Sequence, residues 1–323
     1  MKFSIVIPAY NRATVVSRTL QSVLEQTHRP LQLILVDNKS DDDTLNVFNQ
    51  FAATHQRSDF EIIVTQELHH TASAARNRGA ALATGEWLMF FDSDDVMLPD
   101  LVARYAQYIE RRHGEVDLVS AAGTLIMPSG QRRAAPFFRR DLLANQILHS
   151  QLATQRYAVR RAFFERTDGW NINLSCWNDW EMAMRLLLAR PRIGLLGCRS
   201  SIEIYHNRPD SITGTEFGSR HGKWEHAIDI LENEVRCSQL RAAVKQRCYK
   251  LLHFRRLTLA AHYEHEGRHD LATPLAQTAM RRLRESYGNS RRWRWWVAPV
   301  TRRLYAHMAA GKRGAARIAR RLY

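Results

Sequence analysis

The feature that most constrains this chain is an alternation of short apolar runs with helical stretches across its first hundred residues. Runs at 3–7, 31–36, 60–64 and 87–91 are rich in β-branched and aromatic residues and bounded by polar turns, as strands buried on both faces are. Between the first two, Val16, Leu20, Val23 and Leu24 fall at helical spacing. After Asp41-Asp42-Asp43-Thr44, the residues Leu45, Phe48 and Phe51 come within reach of one helix face. Strands that alternate with helices predict an α/β domain with a mostly parallel sheet flanked by helices. Ligands of such sheets gather beyond the carboxyl ends of the strands. The residues to inspect are therefore Pro8-Ala9-Tyr10-Asn11, Asp37-Asn38 and Asp92-Ser93-Asp94-Asp95.

One absence narrows the nucleotide chemistry. No glycine precedes Gly79, whereas a dinucleotide fingerprint or a phosphate-cradling loop needs glycine just after the first strand. Both are excluded there, so phosphates bound at this edge need another device. Asp92 and Asp94, two residues apart after a buried strand, offer oxygen ligands to a hard divalent cation. Taken alone, an Asp-x-Asp is more often an acidic turn, here one capping the helix that begins near Pro99.

Composition bounds the rest. With 323 residues, 45% of them hydrophobic, the chain can bury a substantial core. The formal charge is +15, but residues 281–323 hold twelve Arg and one Lys against the single acid Glu285, which assigns +12 to the tail. The nearly neutral body argues against general polyanion binding and leaves nucleic acid or anionic lipid as partners of the tail. Cys176, Cys198, Cys237 and Cys248 show no metal-ligand rhythm and read as packing residues of a reduced chain. No window approaches the roughly twenty apolar residues of a membrane span, so the expected location is cytoplasmic or on the cytoplasmic face of a membrane. From 223 to 283 the pattern is helical, broken near Gly267. Beyond Gly288, the residues Trp293, Trp296, Val297, Val300 and Leu304 share helical spacing among arginines, with Pro299 interrupting that helix or starting another.

Several separated motifs, in order and spacing, resemble family 2 glycosyltransferases of the GT-A fold over about the first 215 residues. These are residues 3–12 with Leu20, Ser22-Val23-Leu24 and Gln26-Thr27, then Val36-Asp37-Asn38-Lys39-Ser40. Ala75-Arg76-Asn77-Arg78-Gly79 and Gly85-Glu86-Trp87 follow, leading to Phe91-Asp92-Ser93-Asp94-Asp95 and Pro99. The resemblance implies a GT-A nucleotide-sugar domain over 1–220, followed by a helical appendage over 221–288 and a basic Trp/Arg-rich tail over 289–323. It further implies that Pro8, Ala9, Tyr10 and Asn11 line the donor, that Asp37 bonds the base, most often uracil, and that Arg76 reaches the diphosphate. Asp92 and Ser93 would contact the donor, and Asp94, with Asp92, would ligate Mn2+ or Mg2+. Chemistry agrees, since a carboxylate accepts the imide N–H of uracil and a guanidinium suits a diphosphate.

Cys176-Trp177-Asn178-Asp179-Trp180-Glu181 resembles the family's Glu-Asp-Trp motif, with Asn178 in place of Glu. This implies Asp179 as the base that deprotonates an acceptor hydroxyl, with Glu181 in reserve and helix capping as the alternative for Asp179. Residues 205–213 resemble a late family segment in which Arg208 stands where a histidine is often found; the resemblance implies His206 as a substitute contact to metal or phosphate, with a hydrogen-bonded loop residue as the alternative. The expected activity is inverting transfer of a sugar, from a UDP-sugar above all, to a glycan or lipid-linked acceptor in cell-surface polysaccharide synthesis. The tail would then meet an anionic membrane surface. The competing readings are a catalytically silent sugar-nucleotide binder and nucleic-acid binding by the tail.

Overall fold

The computed structural model describes residues 1–135, 137–197, 200–205 and 216–323, and they form two compact units. The first comprises Met1–Arg139 and Gln151–Ser211, and the second Arg140–Ser150 and Ile212–Tyr323.

In chain order the first unit begins β1 (Phe3–Ala9), α1 (Val16–Leu24), β2 (Leu31–Asp37), α2 (Thr44–His55), β3 (Phe60–Gln66), α3 (Ala72–Ala81) and β4 (Trp87–Phe90). It continues through β5 (Val96–Met97), α4 (Leu101–Arg111), β6 (Leu118–Ser120), β7 (Gly123–Ile126) and β8 (Arg132–Ala135). After α5 (Leu142–His149), which belongs to the second unit, come β9 (Tyr157–Arg160), α6 (Arg161–Phe164), α7 (Asn178–Leu188), β10 (Ile193–Leu195) and β11 (Ile202–Tyr205). Among the described residues one sheet has seven strands in the order β10-β6-β9-β4-β1-β2-β3, and only β9 runs antiparallel to its neighbours. The expected α/β class with a mostly parallel, helix-flanked sheet is therefore present. A smaller sheet follows the order β5-β11-β7-β8.

The continuous apolar runs make sense in this layout, because β1 and β2 are buried along their whole length. Their parallel register pairs Ala9 with Asp37, and β4 pairs Phe90 with Val6. Three adjacent strands thus deliver their carboxyl ends, and the loops after them, to one edge. Helix α3 lies close over β1 and β2, and Gly79 permits that approach: a Cβ there would sit 2.3 Å from Val6 Cγ1 and 3.3 Å from Val36 Cγ2.

The second unit contains α5, α8 (Lys223–Cys237), α9 (Ala242–His265), α10 (His269–Tyr287), α11 (Ala298–Ala309) and α12 (Ala315–Leu322). Gly267, in the left-handed region at φ +75°, reverses the chain between α9 and α10. Trp224, Ile228 and Leu231 on α8 and Leu251, Leu252, Leu257 and Leu259 on α9 are buried as their spacing predicted. At its centre Glu232 receives Arg256 and Arg282, at 3.1 and 2.6 Å, and His253 at 3.2 Å.

Two sequence readings need correction. Cys237 is exposed on the last turn of α8 while Cys176 and Cys248 are buried, so it does not pack; Cys198 lies outside the described residues. The tryptophan stripe of the tail is split, because Trp293–Val297 form a π-helical turn ahead of α11. Its wider turn shifts the helical register. Val297 and Leu304 are buried, whereas Trp296 is 72% exposed. No helix among the described residues is long and apolar enough to cross a membrane.

Candidate functional site

The loops after β1 and β2 are built as one piece. Asn38 N–H donates to the Ala9 carbonyl at 2.8 Å, and Asn11 N–H donates to Ser40 Oγ at 3.0 Å. Asn11 Oδ1 in turn accepts from Asp41 N–H at 2.8 Å. Asn11 and Lys39 both hold positive φ, at 51° and 61°, a conformation that asparagine tolerates better than most residues. Pro8 and Ala9 are buried beneath this loop pair. Tyr10 stands 40% exposed above it, edge-on to His70 with ring centroids 4.3 Å apart. Asp37 is fully buried and accepts from Gln66 Nε2 at 3.0 Å and from Ser40 N–H at 3.3 Å.

The loop after β4 carries the carboxylates. Phe91 N–H bonds the Val6 carbonyl at 2.9 Å, so the strand continues to the threshold of Asp92. The Asp92 side chain is 34% exposed and accepts from Arg76 Nη2 at 2.8 Å. Ser93 is buried and Asp94 half-buried, its backbone carbonyl taking a 2.9 Å bond from Arg18 Nη2. Arg18 also stacks on Tyr205, 3.6 Å from the ring centroid. Asp95 turns inward onto Gln155 Nε2 and the Tyr205 N–H, at 2.6 and 2.8 Å. Burial, then the charges of Asp92 and Asp94, hold its carboxyl well above the ordinary aspartate value. The cap position of helix α4 is Asp100, so Asp92 and Asp94 do not occupy it.

Arg76, on α3, is only 6% exposed. Its guanidinium lies over Trp170 at 4.5 Å, and its Nε and Nη1 have no hydrogen-bond partner. Buried donors left open in this way are uncommon and costly. Trp170 is fixed from the same helix: Asn77 Nδ2 donates to its carbonyl at 2.8 Å and Asn77 Oδ1 accepts from its N–H at 2.7 Å. Trp170 also meets Phe90 edge-on at 5.1 Å.

Asp179 arrives from the far side of the sequence, in the first turn of α7. The cap position of that helix is Trp177, which removes the capping explanation for Asp179. Asn178 bonds Asp179 N–H through Oδ1 at 2.8 Å and reaches Ser73 Oγ on α3 at 3.3 Å, tying the two helix starts together. Burial pushes the Asp179 carboxyl above its ordinary value, opposed by the Trp180 N–H and Arg76 and assisted by Asp92. The same electrostatic neighbourhood surrounds Tyr157, which feels Arg76, Asp179 and Asp92 and whose buried hydroxyl has no partner. Glu181 is committed to Arg185, at 2.5 Å, and is 1% exposed, so it is not a reserve base. His206 and Arg208 lie outside the described residues.

The structure therefore brings Arg76, Asp92 and Asp179 into mutual range. The neighbouring strand ends carry Tyr10, Asp37 and Asp94. Sequence reasoning missed Trp170 and Tyr157, whose only signal is the three-dimensional approach to Arg76. Among the described residues no cluster of three ligating side chains exists. Asp92, which Arg76 contacts, and Asp94 nonetheless form a partly exposed acidic pair of the oxygen-donor type that hard cations take.

The sequence model of Glycosyl transferase family 2 matches residues 4–166, and the chain belongs to that family. It is 34% identical over 184 residues to a PGL/p-HBAD biosynthesis glycosyltransferase of Mycobacterium tuberculosis, an alignment covering 57% of this chain and 68% of the relative. It is also 35% identical over 118 residues to the amylovoran biosynthesis glycosyltransferase AmsB of Erwinia amylovora, covering 36% of this chain and 38% of the relative. Among solved structures it resembles TarS 1–349 of S. aureus in complex with UDP-GlcNAc, with a TM-score of 0.72 and 18% identity over 100% of this chain and 90% of that one. A mannosyltransferase of Pyrobaculum calidifontis, solved with GDP-Man and Mn2+, gives a TM-score of 0.59 at 18% identity, covering 99% of this chain and 86% of that one. These two likenesses concern the fold.

Proposed function

We propose that this glycosyltransferase moves one sugar, with inversion, from a UDP-sugar to a hydroxyl of a glycan or lipid-linked acceptor in cell-surface polysaccharide or glycolipid synthesis. The observation that carries the reading is Arg76: a buried guanidinium with two open donor atoms, salt-bridged to Asp92 and within electrostatic range of Asp179. A diphosphate is the natural partner for such a cation. The UDP-GlcNAc complex of TarS and the biosynthetic roles named for the mycobacterial and Erwinia relatives support the donor and the acceptor class.

In this reading Tyr10 covers one face of the base, and Asp37 accepts its imide N–H at the end of β2. Asp92 and Asp94 would hold Mn2+ or Mg2+, and Ser93 would lie against the donor. A divalent cation bound there would neutralise the charge that develops on the oxygens of the leaving diphosphate. Arg76 donates its free N–H groups to the same oxygens and strengthens as charge accumulates. Asp179 accepts the acceptor hydroxyl proton while that oxygen bonds the anomeric carbon. The carbon–phosphate oxygen bond breaks on the opposite side, and its electron pair leaves with the nucleoside diphosphate. A raised pKa suits Asp179, because a stronger base takes an alcohol proton more readily.

Calorimetric titration with UDP in the presence of Mn2+, repeated after chelation and with Asp94→Ala, tests the donor site. Binding should need both the metal and Asp94. Unchanged UDP affinity in the Asp94→Ala protein would remove the metal assignment, and no binding to UDP would remove the uridine donor.

A further inference from the structure

Residues 289–323 are not an extended tail. Residues 291–309 run as one helix, in which the π-helical turn Trp293–Val297 leads directly into α11. Its inner side buries Val297, Ala298, Thr301 and Leu304, and α11 packs on α9. Helix α12 closes back on it: Arg292 Nη2 donates to the Leu322 carbonyl at 3.3 Å, and the Thr301 and Tyr323 hydroxyls share a hydrogen bond.

The outer side is of opposite character to a solvated helix. Trp295 is 69% and Trp296 72% exposed, the two most exposed tryptophans among the described residues. Arg292 and Arg294 precede them and Arg302 and Arg303 follow, all exposed. On α12, Ala315 and Ala319 face inward while Arg317, Ile318 and Arg321 face out. From 286 to 323 there is no acidic residue. Among the described residues no ion pair neutralises Arg294, Arg302, Arg303, Arg317 or Arg321. An ordinary solvent face interleaves both charge signs and keeps indoles inward. This one pairs large amphipathic rings with uncompensated arginines.

We propose that this face docks on an anionic lipid surface, with Trp295 and Trp296 at the headgroup level and the flanking arginines on lipid phosphates. Indoles favour that boundary because one part of the ring is apolar and its N–H can stay hydrated. Each arginine held near such a surface contributes about fivefold in partitioning. Single-stranded nucleic acid is the weaker match: it calls for stacking platforms spaced along a charged groove, and here adjacent indoles stand on the exterior of one helix.

The inference is independent of the donor reading, and its test keeps the two apart. The full chain is floated with vesicles of phosphatidylcholine alone and with phosphatidylglycerol added, at low and high salt. It should float only with the anionic vesicles and be released by salt. Replacing both tryptophans (Trp295→Ala with Trp296→Ala) should weaken binding on the order of tenfold or more, and Arg302→Glu with Arg303→Glu should abolish it, while UDP titration and circular dichroism match the parent protein. Absence of flotation with anionic vesicles at low salt, equal flotation of the tryptophan variant, or tight binding of a single-stranded oligonucleotide in place of vesicles would each overturn the proposal.

Discussion

Asp179 is the residue whose environment says most about its work. Burial raises its carboxyl, so the folded protein binds this proton at higher pH than the unfolded chain does. Its charged form therefore costs stability, and that cost appears as pH rises through the interval between the unfolded and folded values. Two consequences oppose each other in sign. If Asp179 is the base, as proposed, it is lost on acidification at a pH above the usual aspartate range, and kcat/KM should fall on its acid limb earlier than an exposed aspartate would allow. Asp179→Asn should lower kcat by roughly 10²–10⁴-fold while leaving the thermal midpoint unchanged or higher. A variant that instead unfolds early with UDP binding lost would mean a structural residue. Asp92 and Asp94 were legible in the sequence as candidates because they follow a strand, and Arg76 because it sits in the short motif 75–79, which the structure places on α3. Trp170 and Tyr157 were not, since what gives them meaning is contact with Arg76 across many intervening residues, and neither carries a local pattern.

At the scale of elements, helix α3 decides how well the site is made. It carries Arg76, and through Asn77 it holds Trp170 against that guanidinium. Its height above the sheet depends on Gly79, where a methyl group would meet Val6 at 2.3 Å. Overpacking of this kind costs about 1–3 kcal/mol. Gly79→Ala should lower the midpoint of thermal unfolding and weaken UDP binding together, and Val6→Ala in the same chain should recover part of both. Loss in the single variant with no recovery in the double would place the fault elsewhere. The alternation of apolar runs with helical stretches made β1 to β4, α1 and α2 readable. The order of the sheet beyond β4 was not, because β6, β9 and β10 are only three or four residues long and take their places through pairing with distant strands. The π-helical turn was equally hidden, since a helix-period pattern assumes an unbroken register.

Across the whole molecule, charge is divided unevenly, and the helical unit concentrates it both inside and out. Within it, burial alone would raise Glu232, but the His253 hydrogen bond and the Arg256 and Arg282 charges outweigh burial and hold the carboxyl at about 2. A depressed carboxylate contributes stability that is present above its unfolded value and lost as pH falls toward the folded one. Acid should therefore soften this unit between the ordinary glutamate range and about pH 2. Glu232→Gln should remove that slope and cost about 1–3 kcal/mol at neutral pH, because Arg256 keeps Asp229 while Arg282 and His253 lose a charged partner; hydrogen exchange of α8 and α9 amides against pH measures both.

The short excursion 140–150 has a consequence for how the protein can be made. Helix α5 is translated in the middle of the first unit, yet its partners come last. Asp141 is gripped by both terminal nitrogens of Arg247, at 2.7 and 2.6 Å, and Arg255 donates to the Leu148 carbonyl at 3.2 Å. Asn145 waits for Arg320, three residues from the end of the sequence. During synthesis α5 thus emerges long before anything exists to cover Ala144, Ile147 and Leu148, and the helical unit can close only once Arg247, Arg255 and Arg320 have been made. A fragment ending at residue 220 keeps every carboxylate of the proposed site but leaves this helix bare, and should be recovered chiefly as aggregate. Trimming such an enzyme to its catalytic half requires removing the excursion as well.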